Sequence, residues 1–202
     1  MISGLRERKR ERNRALTAET AWRLFIERGY DNVTVADICE AAEIAPRTFH
    51  RYFPGKEDVV TEPMRRMARL IADHVTGAPP GEEDVEVLRT ALLALGRFVV
   101  EHRELLIALR TVSQGSHHIR AAHVGLLDQD QVVAALLADR HPDDDPADWR
   151  RRLLVACAMA AYRVWYEDNL RLDLPDPAAH LDTILTSAFA MSGTAGETTP
   201  RG

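Results

Sequence analysis

Between Thr34 and Lys56 the chain carries two short helical patterns separated by only a few residues, and this arrangement limits the fold more than any other feature. In the first, Thr34 followed by Asp37 makes a capping-box-like start, and Ile38, Ala41 and Ala42 then share one face. The second begins near Ala45, where Pro46 is acceptable because the first turn would leave its N–H unpaired anyway. Phe49 and Phe53, four residues apart, point inward together, which sends Arg47, His50 and Arg51 elsewhere. A helix that only filled a core would not place three such residues around one turn. Arginines, hydroxyls and aromatics in place of a continuous apolar face suit a helix that enters a DNA groove.

Charge follows the same division. Residues 1–56 hold 11 Lys plus Arg against 8 Asp plus Glu, while the remainder holds 15 against 23, within a net charge of −5 over 202 residues. The two parts therefore face different partners, and the chain does not coat nucleic acid along its whole length. Arg6, Arg8, Lys9, Arg10, Arg12 and Arg14 open the chain; they can track phosphates or form a solvated charged face. No apolar run of the signal-peptide kind follows them, and the longest apolar run, Leu153 to Tyr162, is too short for a bilayer. Cys39 and Cys157 each lie inside an apolar helical pattern, which reads as two buried thiols in a reducing compartment, and the protein as cytoplasmic without a membrane partner.

Taken in order, Leu16, Ala21, Leu24 and Phe25 mark a helix from about Arg8 to Arg28, capped at Gly29. Pro54-Gly55 ends the groove-type helix, and a fourth helix runs from Lys56 to about Val75 on Val59, Val60, Met64, Met67 and Ile71, with Pro63 bending its axis. After a loop over Thr76 to Asp84 come helices from Val85 to about His102, Glu104 to Val112, His117 to Arg140 (one or a pair), Ala147 to Leu172 and Asp176 to Met191. No window alternates with period two, so the fold class is all-α with about nine helices, and residues 193–202 read as a disordered tail.

The span from Leu16 to Val60 resembles the N-terminal helix-turn-helix domain of the TetR family of bacterial transcriptional repressors. Phe25, Gly29, Tyr30, Thr34, Ile38, Thr48-Phe49, Tyr52-Phe53 and Lys56-Glu57 carry the resemblance. It implies a three-helix DNA-binding domain over 1–55 and a larger helical ligand-binding and dimerisation domain over 56–192. It further implies that Pro46, Arg47 and Arg51 face bases, with Arg47 suited to bidentate bonding with guanine. Thr34, Thr48, His50, Tyr52 and Lys56 fall where the family commonly holds the DNA backbone, and Lys56 opens a helix whose positive end can act on the same phosphate. Three positions depart from the pattern: Glu43 stands where the turn usually has glycine, Ala45 where a serine often caps, and His50 where a tyrosine is common.

The implied partners are a double-stranded palindromic operator, a second copy of the chain and a small-molecule effector, with no cofactor and no metal. For the effector, Met67, Leu95, Phe98, Leu106, Leu109, Tyr162 and Trp165 are apolar or aromatic positions around a central cavity in such a fold, though each also suits ordinary core. Arg103, Arg110 and Arg120 can hold an anion. The stretch from Arg47 to Asp58 is similar to a subgroup linked to acyl-CoA-like ligands. For the dimer, the small residues between Leu153 and Ala161 permit close helix approach; Leu154, Ala158 and Ala161, with Leu181, Ile184, Leu185, Ala188 and Phe189, form a plausible four-helix interface or else close the chain's own core. An enzyme would need a nucleophile elbow, a phosphate cradle or paired metal-ligand spacing, none of which is present; adjacent His117 and His118 point to different sides of a helix. The remaining alternative is an architectural DNA-binding protein without a ligand.

Overall fold

The computed structural model describes residues 2–115, 130–142 and 149–193. Ten α-helices and no strand occur among these residues: α1 (Ile2–Arg28), α2 (Val35–Ala41), α3 (Pro46–Tyr52), α4 (Lys56–Val60), α5 (Glu62–Gly77), α6 (Asp84–Glu101), α7 (Arg103–Gly115), α8 (Asp130–Ala138), α9 (Trp149–Arg171) and α10 (Pro177–Gly193). A 3-10 turn, Tyr30–Asn32, separates the first two. None is long and apolar enough to cross a membrane. The helix expected from about Arg8 starts six residues earlier, at Ile2. The expected 117–140 helix is described only over α8, so His117, His118 and Arg120, like the tail beyond residue 193, lie outside the described residues.

The chain divides into two compact units, one of Met1–Met64 with Glu104–His123, the other of Arg65–Arg103 with Val124–Gly202. In the first, α1 contacts α2 and α4, and α2 contacts α3. Ala21, Trp22, Leu24, Phe25, Val33, Ile38, Phe49, Phe53, Val59 and Val60 are buried between them. Trp22 meets Phe25 edge to face at 5.5 Å. Gly29, at φ 81, lets the chain leave α1 in a left-handed conformation, and its N–H donates to the Phe25 carbonyl at 3.0 Å.

The single fourth helix read from the sequence is two helices. Thr61 turns the chain between α4 and α5, donating its N–H to the Glu57 carbonyl at 3.1 Å. Pro63, in the first turn of α5, has no N–H to offer the Val59 carbonyl four residues back. The Trp22 indole N–H donates to that carbonyl instead, at 3.2 Å. Pro63 thus does more than bend an axis: it ends one helix and permits another.

In the second unit α9 contacts α6, α8 and α10, and α6 contacts α10. Gly96 of α6 leaves room for the side chains packed on it, since a Cβ there would lie 2.4 Å from Leu181 Cδ2 and 3.5 Å from the Trp165 ring. Helix ends and loops are closed by arginines. Arg140 donates to the carbonyls of Val75, Ala78 and Pro79 at 3.2, 2.9 and 2.9 Å, and Asp84 accepts from both His141 and Arg151 at 2.9 Å. Both cysteines are free; Cys39 is buried, which raises its thiol pKa, while Cys157 is only half-buried, short of the burial expected.

Candidate nucleic-acid interface

The turn between α2 and α3 is built by backbone rather than glycine. Thr34 caps α2 as the sequence predicts: its side chain accepts from the Asp37 N–H at 3.2 Å, and the Asp37 carboxylate accepts from the Thr34 N–H at 2.8 Å. The Thr34 hydroxyl also donates to the Asp37 carboxylate at 2.5 Å, and this bond, ahead of the one from the Thr34 N–H, holds the carboxyl below its ordinary range. At the other end Glu43 takes φ 52, the left-handed conformation anticipated where glycine is missing. Its N–H reaches the Glu40 carbonyl at 3.2 Å, and the Ile44 N–H reaches Cys39 at 3.0 Å, so two orphan carbonyls of α2 are satisfied in a Schellman pattern. Ala45 caps α3 without a side-chain bond, and Pro46 stands in the first turn.

Phe49 and Phe53 are fully buried and fix the rotation of α3. The outer face follows from that. Pro46, Arg47, His50 and Arg51 are exposed, and Thr48 and Tyr52 are half-buried. Arg47 has no hydrogen-bond or ion-pair partner among the described residues, which leaves its five donors open. His50 Nδ1 lies 3.2 Å from the Pro54 carbonyl, and the Arg51 guanidinium rests 5.2 Å from the centroid of the Tyr52 ring. Thr34 is exposed beside them in sequence at the start of α2.

Lys56 is placed differently from a bare phosphate ligand. Its ammonium donates to the carbonyls of Tyr30 at 3.1 Å and Val33 at 3.2 Å, and sits 4.2 Å from the centroid of the Tyr30 ring. The Tyr30 hydroxyl donates to Glu57 at 3.1 Å, and burial followed by the Glu57 charge raises its pKa. Lys56, Glu57 and Tyr30 therefore tie the start of α4 to the chain between α1 and α2. With α4 only five residues long, its dipole offers a phosphate little. Arg14 is likewise drawn inward, paired with Glu62 and lying 5.0 Å from the Phe53 ring centroid, whereas Arg8, Lys9 and Arg12 remain exposed. Neither Arg14 nor the Lys56 ties were legible in the sequence, because a basic residue in a charged stretch carries no mark of its partner.

The candidate effector residues divide between the units. Met67, Leu95, Phe98, Tyr162 and Trp165 are buried in the second. Leu106 and Leu109 are buried, and Arg110 half-buried, on α7. Arg103 is spent: it donates to the carbonyls of Asn169 and Leu172 at 2.7 and 3.2 Å, capping the C-terminal end of α9, so it is no anion site. Ala158, Ala161, Leu181, Leu185 and Ala188 are buried within the chain itself, and Leu154, Ile184 and Phe189 are half-buried. The apolar residues α9 turns outward are Trp149, Leu153, Ala160 and Val164, the last 56% exposed.

Comparison with known proteins settles what this head belongs to. Residues 18–62 match the model of the bacterial regulatory proteins of the tetR family. The HTH-type transcriptional regulator TcmR of Streptomyces glaucescens is 31% identical over 174 residues, covering 81% of this chain and 77% of TcmR. The chain belongs to the TetR family. Among its other relatives, the HTH-type transcriptional repressor KstR of Rhodococcus jostii is 27% identical over 139 residues, 68% of this chain and 64% of KstR. The fold agrees: Thermus thermophilus FadR, a TetR-family transcriptional repressor solved in complex with lauroyl-CoA, superposes with a TM-score of 0.59 at 21% identity, covering 94% of this chain and 100% of that one. As a TetR-family protein the chain is a DNA-binding transcriptional regulator.

Proposed function

We propose that this regulator is a repressor that binds a palindromic operator as a cytoplasmic homodimer and leaves it when a small apolar or acyl-CoA-like effector binds. The observation that carries the reading is the outer face of α3, where Arg47 stands exposed, with no partner among the described residues, on a helix locked by Phe49 and Phe53. A helix so held fits the major groove with its first residues at the base edges. Arg47 reads a guanine, Pro46 touches a thymine methyl and Arg51 lies along the same face. Thr34, Thr48, His50 and Tyr52 set the register on phosphates. Residues 1–55 supply this reading head, and residues 56–192 supply the dimer and the effector site.

One head reads too few base pairs to select a site, so two copies are required. The outward stripe of Trp149, Leu153, Ala160 and Val164 on α9 supports a self-complementary contact of small and branched side chains. The likeness to FadR, a protein seen with lauroyl-CoA, supports an acyl-chain effector. The effector shifts the operator equilibrium only by its differential affinity for the two states.

Footprinting on DNA upstream of the protein's own gene and its neighbours tests the reading. Protection of a palindrome with half-sites one or more helical turns apart, roughly 34–36 Å per turn, is expected. Protection without sequence preference would instead indicate an architectural DNA-binding protein.

A further inference from the structure

Most buried polar groups of the second unit have partners. The Trp165 indole N–H donates to the Pro177 carbonyl at 2.7 Å, and Asp84, His141 and Arg151 satisfy one another. Besides the Nε of Arg140, whose other nitrogens are bonded to carbonyls, two side-chain groups, both on α9, do not follow this pattern. The Tyr162 hydroxyl and the Asn169 side-chain nitrogen are buried, their residues each 1% exposed, and neither has a hydrogen-bond partner among the described residues. They are seven residues apart, two turns of one helix, and therefore lie on the same face with an axial separation of about 10.5 Å. Trp165 and Tyr166, both buried, occupy the turn between them, and the Tyr162 ring lies 5.5 Å from Trp165 and 6.2 Å from Tyr166.

Native folds rarely leave buried donors unpaired, since such a group forfeits its bonds to water without replacement. Two such groups on one aromatic face point to an absent third party. We infer that Tyr162 and Asn169 are the polar anchors of the effector site, and that the portion of the effector held on this face of α9 is a neutral, largely apolar body carrying hydrogen-bond acceptor oxygens, as a ketone, ester or thioester does. The inference rests on the effector reading above and narrows it.

The chemistry follows from the donors. A carboxamide nitrogen only donates, and burial keeps the Tyr162 hydroxyl protonated, so it too offers a donor. The complement of two donors is a pair of acceptors. An anionic group would need a compensating cation in the same dry surroundings. Arg103, next to Asn169, has its guanidinium committed to the carbonyls of Asn169, Leu170 and Leu172. The aromatic rings between the anchors supply the apolar contact.

The test uses the full chain and thermal unfolding with three rigid probes of one shape: 1,4-diacetylbenzene, 1,4-diethylbenzene and terephthalate. Without any probe, Tyr162→Phe should melt at or above the wild-type temperature, because it deletes a group with no partner. Diacetylbenzene should stabilise the wild type, and bind about tenfold more weakly to Tyr162→Phe and to Asn169→Leu, the loss of one hydrogen bond. Diethylbenzene binding should be indifferent to both substitutions, and terephthalate should give no shift. A Tyr162→Phe variant that melts several degrees lower would show that the hydroxyl has a structural partner and overturn the inference. So would diacetylbenzene that gives no shift, or shifts all three proteins alike, or is outdone by terephthalate. Operator footprinting of the same variants keeps this separate from the function proposed above, which fails only if palindrome protection fails.

Discussion

The Trp22 indole N–H bonds the Val59 carbonyl at 3.2 Å, the acceptor that Pro63 leaves without its helical donor. The contact joins α1 to the end of α4 and stabilises the break that makes α4 and α5 separate helices. Trp22→Phe keeps an apolar ring but strands a buried carbonyl, and should cost about 1–3 kcal/mol in urea unfolding. Pro63→Ala restores an N–H at residue 63, so the double variant should recover part of that loss. Strict additivity of the two would show that Val59 is not the shared acceptor.

Glu43 holds a left-handed conformation at φ 52, and Ala45 caps α3 with no side-chain bond. Both are local costs that a substitution can relieve. Glu43→Gly should stabilise the chain by about 1 kcal/mol, and Ala45→Ser by a further ~1 kcal/mol, seen as a raised urea midpoint with unchanged slope. A destabilised Glu43→Gly variant would mean that the Glu43 side chain makes contacts worth more than the strain.

The α2 cap has an acid signature. The Asp37 carboxyl is held below its ordinary value of 3.8 by its bonds to Thr34. A group whose folded pKa is depressed adds stability above its unfolded pKa and loses it as pH falls through the folded value. Wild type should therefore lose stability more steeply than Asp37→Asn as pH drops below about 3.8, with the two profiles parallel above it. Parallel profiles throughout would contradict the cap.

Lys56 has a structural role that substitution tests. Its ammonium holds the Tyr30 and Val33 carbonyls, so Lys56→Ala should lower stability by about 1–2 kcal/mol, a loss reduced by its partial exposure. If its remaining donor also meets a phosphate, the same variant weakens binding to all DNA alike and lowers the salt slope by about one. An unchanged melting temperature would contradict the structural role.

Much of this head was written in the sequence because its determinants are local. Thr34 and Asp37 sit three apart, Phe49 and Phe53 four apart, and a missing glycine at Glu43 marks itself; each appears in the structure with the geometry expected. The ties of Arg14 and Lys56 were not legible, since their partners, Glu62, Phe53 and the Tyr30 and Val33 carbonyls, come from other segments. The outward face of α9 was not legible for another reason. Apolar residues surround α9 on nearly all sides, so periodicity could not tell the face buried in the chain, with Ala158 and Ala161, from the outward face of Leu153 and Val164.

The exposed face of α3 is proposed to read sequence through Arg47. Binding of wild type and Arg47→Ala to the footprinted operator, and to a version with the central half-site guanines replaced, measures it directly at one salt concentration. Wild type should prefer the intact operator by about 1–3 kcal/mol per guanine contact, and Arg47→Ala should lose that preference while still binding DNA. Equal preference in the two proteins would contradict the account.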